Sequence, residues 1–131
     1  MADVIRLDVA ATSTVMPIVR MIVGGVGARV DLSLDDLEDA YLALEELICA
    51  AEGAGEGPRL TIAVETTDDG ITIDTGLFRS DQLRSRLTAG GDVAAGLSLA
   101  ALFARVVESL EVCSADGGCF SVSFTKRRGV A

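Results

Sequence analysis

Histidine and tryptophan are absent from this 131-residue sequence, and tyrosine occurs once. Without histidine there is no His-ligated metal, no Ser–His or Cys–His nucleophile pair and no imidazole acid–base chemistry. Cysteine is scarce as well: Cys49, Cys113 and Cys119 form an odd set with no metal-type spacing. They read as buried cytoplasmic thiols, with Cys113 and Cys119 flanking one turn. Long hydrophobic runs are missing. The longest, residues 93–104 and the stretch around 21–28, fall short of the ~20 residues that cross a bilayer. Asp3, Arg6 and Asp8 interrupt the opening, where a secretory signal would carry an apolar core. Clustered positive charge is missing too, with 11 Lys and Arg against 20 Asp and Glu, a net charge of −9. Phosphate-backbone binding depends on clustered cations, so nucleic acid is a poor partner for such a chain. Only Lys126, Arg127 and Arg128 run together, and they read as a solvated end.

What is present points to a folded domain. Half the residues are hydrophobic, too many for a disordered tail. The length suits one domain, and no internal repeat or low-complexity tract divides it. Residues 1–10 alternate, with Ile5, Leu7 and Val9 separated by Arg6 and Asp8, which predicts a strand with one buried face. Thr12, Ser13 and Thr14 offer hydroxyl caps and Pro17 fits a first helical turn, so a helix is expected over about 15–23. Gly24, Gly25 and Gly27 would hand it over to a loop.

The clearest element follows. Ser33 with Asp36 resembles a capping box, and Leu34, Leu37, Tyr41, Leu44, Ile48 and Ala51 recur at helical spacing. Gly53, Gly55, Gly57 and Pro58 end that helix. Residues 60–64 alternate as a strand, Asp68-Asp69-Gly70 turns the chain, and Ile71 and Ile73 begin the return. Residues 74–92 have no strong period and read as a long loop holding a short helix near 80–87. A helix over 94–110 and a hairpin of 111–113 with 119–124 complete the order. Helices gathered on one face of a mixed sheet, as a two-layer α+β sandwich, bury these faces economically.

Two features offer chemistry. The acidic helix carries Asp35, Asp36, Glu38, Asp39, Glu45, Glu46 and Glu52 mostly away from its leucines, as a solvated face would. Glu46 lies nearly opposite the core stripe with Ala50 a turn later, and would act as a base only under a cover. Glycine-rich turns come next: Asp74-Thr75-Gly76 after a strand, and Gly90-Gly91 with Gly96-Leu97-Ser98-Leu99 before a helix. Flexible backbone at a helix start presents N–H groups to phosphate oxygens. Neither the P-loop nor the dinucleotide fingerprint occurs.

The order of these pieces resembles the anti-sigma factor serine kinases, small cytoplasmic members of the histidine-kinase-like (GHKL) ATPase superfamily. The resemblance spans essentially the whole chain. Residues 11–20 look like that family's first helix, with Arg20 at an arginine position. Leu44-Glu45-Glu46-Leu47-Ile48-Cys49-Ala50 looks like its N-box, and Gly96-Leu97-Ser98-Leu99-Ala100 like its second glycine box. The resemblance implies ATP or ADP with Mg²⁺ as cofactor, Glu46 as general base, and Asp74, Gly76, Gly96 and Ser98 as nucleotide-binding positions. It implies a homodimer through the first strand and helix, a sigma-70-type factor as partner met at Arg20, and a STAS-domain anti-anti-sigma antagonist. Three positions depart from the pattern. Ala50 stands where an asparagine ligates Mg²⁺, Phe78 where the first glycine box has its last glycine, and Ser98 where the second box has a glycine. A methyl group cannot ligate a hard cation. The expectation is an anti-sigma factor with an eroded nucleotide site. An active serine kinase acting on the STAS partner is the alternative, and a GHKL-shaped regulator unconnected with sigma factors the second.

Overall fold

A computed structural model describes residues 3–57, 59–88 and 98–129. Strand β1 (Val4–Ala10) leads through a 3-10 turn (Ser13–Val15) into helix α1 (Met16–Ala28) and helix α2 (Leu34–Gly53). Strands β2 (Arg59–Thr66) and β3 (Gly70–Phe78) form a hairpin, followed by helices α3 (Asp81–Thr88) and α4 (Leu99–Val106). Strands β4 (Ser109–Ser114) and β5 (Phe120–Arg127) close the chain as a second hairpin. The five strands form one sheet in the order β1-β2-β3-β5-β4. This is the α+β, two-layer arrangement expected, with one correction.

Every neighbouring pair is antiparallel, so the sheet is not mixed. The reason lies in the order. β3 and β4 run the same way after the helical crossover, but β5 slots between them and opposes both. β1 and β3 are likewise parallel in direction and separated by β2.

One sheet face carries Leu60, Ile62, Val64, Ile71, Ile73, Phe120, Val122 and Phe124, all buried beneath the helices. Val19, Val23 and Val26 of α1, Leu44, Leu47 and Ile48 of α2, and Phe103 of α4 complete the core. Residues between these on each strand, such as Arg6, Asp74 and Glu111, point to the opposite, open face, as a period of two requires. β1 is an edge strand, so the face that its alternation predicted to be buried is only half covered, and Ile5 remains 39% exposed.

α1 does not stop at residue 23. It runs through its glycines to Ala28, because two of them serve packing: a Cβ on Gly24 would lie 2.6 Å from the Tyr41 hydroxyl, and one on Gly27 2.6 Å from Leu37 Cδ2. Close helix approach, not chain reversal, uses these residues. The region 74–92 is also more regular than its sequence suggested. β3 continues to Phe78 across an irregularity in register, and α3 occupies Asp81–Thr88, close to the short helix foreseen. The helix expected over 94–110 is described from Leu99 and ends at Val106, where Val107 turns extended and β4 begins at Ser109.

The basic triplet Lys126-Arg127-Arg128 is a clamp and not a solvated end. Lys126 Nζ donates to Asp39 Oδ2 at 3.0 Å and to the Val106 carbonyl at 3.0 Å, with Glu108 Oε1 3.6 Å away. Arg128 donates to the Val30 and Asp68 carbonyls, and the Gly129 amide donates to the Asp36 carboxylate. The carboxylate of Asp36 also receives the Ser33 amide while Ser33 Oγ receives the Asp36 amide, which confirms the capping box. Gly70 lets the β2–β3 turn reach this clamp: a Cβ there would collide with the Lys126 carbonyl and lie 2.7 Å from Arg127 Cα.

Candidate functional site

Among the described residues, the positions that the nucleotide-binding resemblance implies are not gathered by the fold. Glu46 sits exposed on the outer surface of α2. Asp74 lies in β3 between Ile73 and Thr75, both buried, and so projects to the open side of the sheet. There it borders a shallow depression of about 260 Å³ with Arg6, Thr61 and Ser121. The helix layer and the sheet therefore stand between Glu46 and Asp74.

The other positions have structural work. Ala50 is 7% exposed and turned toward α3, not outward beside Glu46. Together with Cys49, Gly53, Gln82 and Arg86 it lines a cavity of about 140 Å³, below the several hundred Å³ typical of ligand pockets. Phe78 is buried, its ring centroid 5.6 Å from that of Phe120. Gly76 passes close to β5, where a Cβ would sit 3.2 Å from Ser121. Ser98 caps α4, its hydroxyl accepting the Ala101 amide at 3.0 Å. Gly96 lies outside the described residues, as do Gly90 and Gly91.

α3, beside Ala50, is tied in place. The Glu56 carboxylate accepts the Arg79 and Ser80 amides at 2.8 and 2.7 Å. Arg84 donates to Ser114 Oγ and its guanidinium stacks 5.0 Å from the Phe120 ring centroid. On these observations the described residues do not fit a Mg–ATP complex. No oxygen ligand stands at Ala50, and Asp74, to which the resemblance would give the adenine contact, projects to the open side of the sheet, away from α2.

Cys49 and Cys113 are exposed rather than buried, and only Cys119 is buried. Partial burial, then the charges of Glu46, Glu45 and Glu52, push the Cys49 thiol above its ordinary value. A thiol held protonated is a poor nucleophile. Cys113 stands opposite Ser121, the Cys119 carbonyl accepts the Ala115 amide at the turn, and both cysteines are free thiols. Among the described residues, no group of three or more His, Cys, Asp or Glu side chains is placed to hold a metal ion.

Arg20 belongs to a different constellation. Its guanidinium meets Glu45 Oε2 at 3.1 Å and lies 5.3 Å from the Tyr41 ring centroid. Tyr41 and Glu45 are one turn apart on α2, so both reach the same point of α1. Partial burial and the Glu38 charge raise the Tyr41 phenol above its ordinary value, against a lowering by Arg20. Neither Tyr41 nor Glu45 was singled out as a partner of Arg20 from the sequence. Their i, i+4 spacing was the available signal, but nothing in the sequence said that α1 would cross α2 at Gly24. Around this cluster the helix layer exposes Ile18 (60%) and Met21 (75%) from α1, and Leu42 (39%) from α2.

No protein-family model matches the sequence, and no curated protein matches it either. A solved structure does resemble it: the crystal structure of the RsbU and RsbW domains of Rv1364c from Mycobacterium tuberculosis, with a TM-score of 0.66. The match covers 98% of this chain at 17% identity. This chain spans 35% of that longer one. The likeness is one of fold, and it agrees with the two-layer α+β sandwich described above. No helix among the described residues is long and apolar enough to cross a membrane.

Proposed function

We propose that this chain is a partner-binding regulator, an anti-sigma factor that sequesters a sigma-70-type factor and is countered by a STAS-domain anti-anti-sigma protein. The fold shared with a structure containing an RsbW domain supports this reading. One observation carries the choice of binding over catalysis. Ala50, Phe78 and Ser98 are committed to packing and capping, while the outer surface of α1 and α2 is left uncovered. An acidic surface of this kind suits a partner with exposed cations, whose approach it would steer.

Arg20 is assigned to the sigma-binding surface. Its ion pair with Glu45 leaves the side chains 44% and 38% exposed. Such pairs contribute little to stability, about 0–1 kcal/mol. A second copy of the chain is assigned to β1, whose outer edge has no strand beside it among the described residues and whose Val4 and Ile5 are 46% and 39% exposed. Sedimentation at tens of micromolar is expected to find a dimer, and a monomer throughout would remove this assignment.

Calorimetry with ATP and Mg²⁺ tests the choice between binding and catalysis. The expected result is weak or no nucleotide binding, with Mg²⁺ adding little. Ala50→Asn alone is not expected to restore it, since Asp74 would still face away. Micromolar, Mg²⁺-dependent binding, or phosphate transfer to a STAS-domain serine, would overturn the eroded-site reading and promote the kinase alternative.

A further inference from the structure

β4 lies at one edge of the sheet, bonded to β5 on one side and to no strand on the other among the described residues. An edge strand presents a row of unpaired N–H and C=O groups that another strand can complete. The register sets Leu110 and Val112 opposite Phe124 and Val122, on the helix-covered face, and Glu111 opposite Ser123, on the open one. Leu110 and Val112 pack against the core yet stay only half-buried, because the sheet ends beside them.

The helix layer leaves a depression of about 340 Å³ at this edge, lined by Leu87 of α3, Ala100, Phe103 and Ala104 of α4, and Val107 and Leu110. Its lining reaches β4 but not β5, so it lies at the margin of the sheet and not over its middle. The walls are mostly aliphatic and aromatic, and the volume falls in the range of ligand pockets. Glu108, at its rim, is already engaged: its carboxylate accepts the Arg127 amide and lies 3.6 Å from Lys126 Nζ. At the other end of β4 the Ser114 hydroxyl accepts from Arg84, which leaves residues 109–113 as the free stretch.

We propose that the free edge of β4 takes up an extended segment of a protein partner as an added strand, with an apolar side chain of that segment filling the depression beside Leu110. Backbone pairing holds the segment and alternate side chains select it, as in other cases of strand addition. A strand about 4.8 Å beyond β4 carries its helix-side residues next to Leu110 and Val112, where Phe103 and Ala104 line the depression. These positions select aliphatic side chains. The residue between them comes level with Glu111, whose exposed carboxylate selects lysine or arginine. The segment therefore alternates apolar, basic and apolar residues. β1 itself carries Ile5, Arg6 and Leu7 in this pattern, but pairing β1 of one copy with β4 of another runs head to tail and does not close. Each copy also carries a net charge of −9, which opposes such stacking. β4 and β1 are opposite edges of the sheet, and α1 packs over the β2 and β3 side, so this surface is separate from Arg20 and goes beyond the sigma-binding reading.

The test titrates the whole, isotope-labelled protein with a short synthetic peptide in which valines alternate with threonines and the central threonine is replaced by lysine. Amides of residues 109–113 are expected to shift and to gain protection from hydrogen exchange, while those of β1 do not. N-methylation of alternate peptide amides removes donors without touching side chains, and is expected to abolish binding. Glu111→Lys is expected to weaken the lysine peptide about fivefold and to strengthen a glutamate counterpart by a similar factor. Ala104→Glu, at an exposed position in the depression, is expected to weaken binding of both about tenfold with little change in Tm. Equal binding of the N-methylated peptide or of a scrambled one would overturn the proposal. So would shifts at β1 in place of β4, unchanged binding by Ala104→Glu, or no binding at millimolar concentration. A self-association that Ala104→Glu abolishes would also overturn it, by giving the edge to β1 of a second copy. None of these outcomes depends on whether a sigma factor is captured.

Discussion

Replacing Phe103 by alanine is expected to cost about 4 kcal/mol of folding stability. Phe103 is fully buried, and its ring meets that of Phe124 edge-on, with centroids 5.2 Å apart at 74°. Its helix, α4, has eight residues, of which only Leu99 and Phe103 are buried. Truncating the ring removes its transfer free energy, leaves a cavity, and deletes an edge-to-face contact of about 1 kcal/mol. Neighbours cannot collapse readily into the space, because Phe124 is fixed in β5 between β3 and β4. Such a loss is a large part of the roughly 5–15 kcal/mol by which domains of this size are stable. Urea denaturation should show a much lower midpoint with little change in slope. A loss below about 1 kcal/mol would mean that α4 does not anchor on β5 as described.

The second large effect is expected at Lys126. Lys126→Ala should cost about 2 kcal/mol, since Asp39, Glu108 and the Val106 carbonyl lose the ammonium that joins them. The value stays low for a buried cation because water can still reach Asp39 and Glu108, which are 44% and 34% exposed. Burial alone would lower the pKa of Lys126. The Asp39 hydrogen bond and the charges of Glu108, Asp39 and Asp36 outweigh it and raise the group above its ordinary value. Its contribution is thus complete below the unfolded lysine value and disappears as pH rises through the folded one. Asp36 behaves in the opposite sense. Burial would raise it, but the Ser33 and Gly129 amides, the Ser33 hydroxyl and the Lys126 charge hold it below the usual carboxylate value. Its contribution is complete above the unfolded carboxylate value and is lost as pH falls through the folded one. Cys49 and Tyr41 are also raised, so stability is lost as pH climbs through the thiol and phenol ranges. Stability of the native protein should therefore be flat only between the carboxylate and thiol values, and Lys126→Ala should reduce the alkaline loss without abolishing it. An unchanged alkaline limb in the variant would place the titrating group elsewhere.

Much of this fold is legible in the sequence because local rules and tertiary need agree. α2 shows its capping box at Ser33 and Asp36 and its leucine stripe, and both hold in three dimensions. Where several physical causes can place the same residue, the reading fails. Glycines at 24, 25 and 27 signal a helix end locally, yet the approach of Tyr41 and Leu37 makes small residues useful inside α1. Three cations in a row look solvated until Asp39 and Asp69, distant in sequence, come round them. Phe78 looks like a lost glycine when aligned to a motif, but its burial beside Phe120 makes it a core residue. The candidate site was least legible. Alternation in β3 fixes which face Asp74 takes, whereas motif spacing alone says nothing of faces.

The most direct test is capture of sigma-70-type factors by the purified, nucleotide-free protein, measured again after adding ATP and Mg²⁺. The account predicts that one such factor binds equally well in both conditions. It also predicts that Arg20→Ala weakens this capture while shifting Tm little, as befits an exposed ion pair. Failure to bind any sigma factor, or binding that appears only with Mg–ATP, would contradict it.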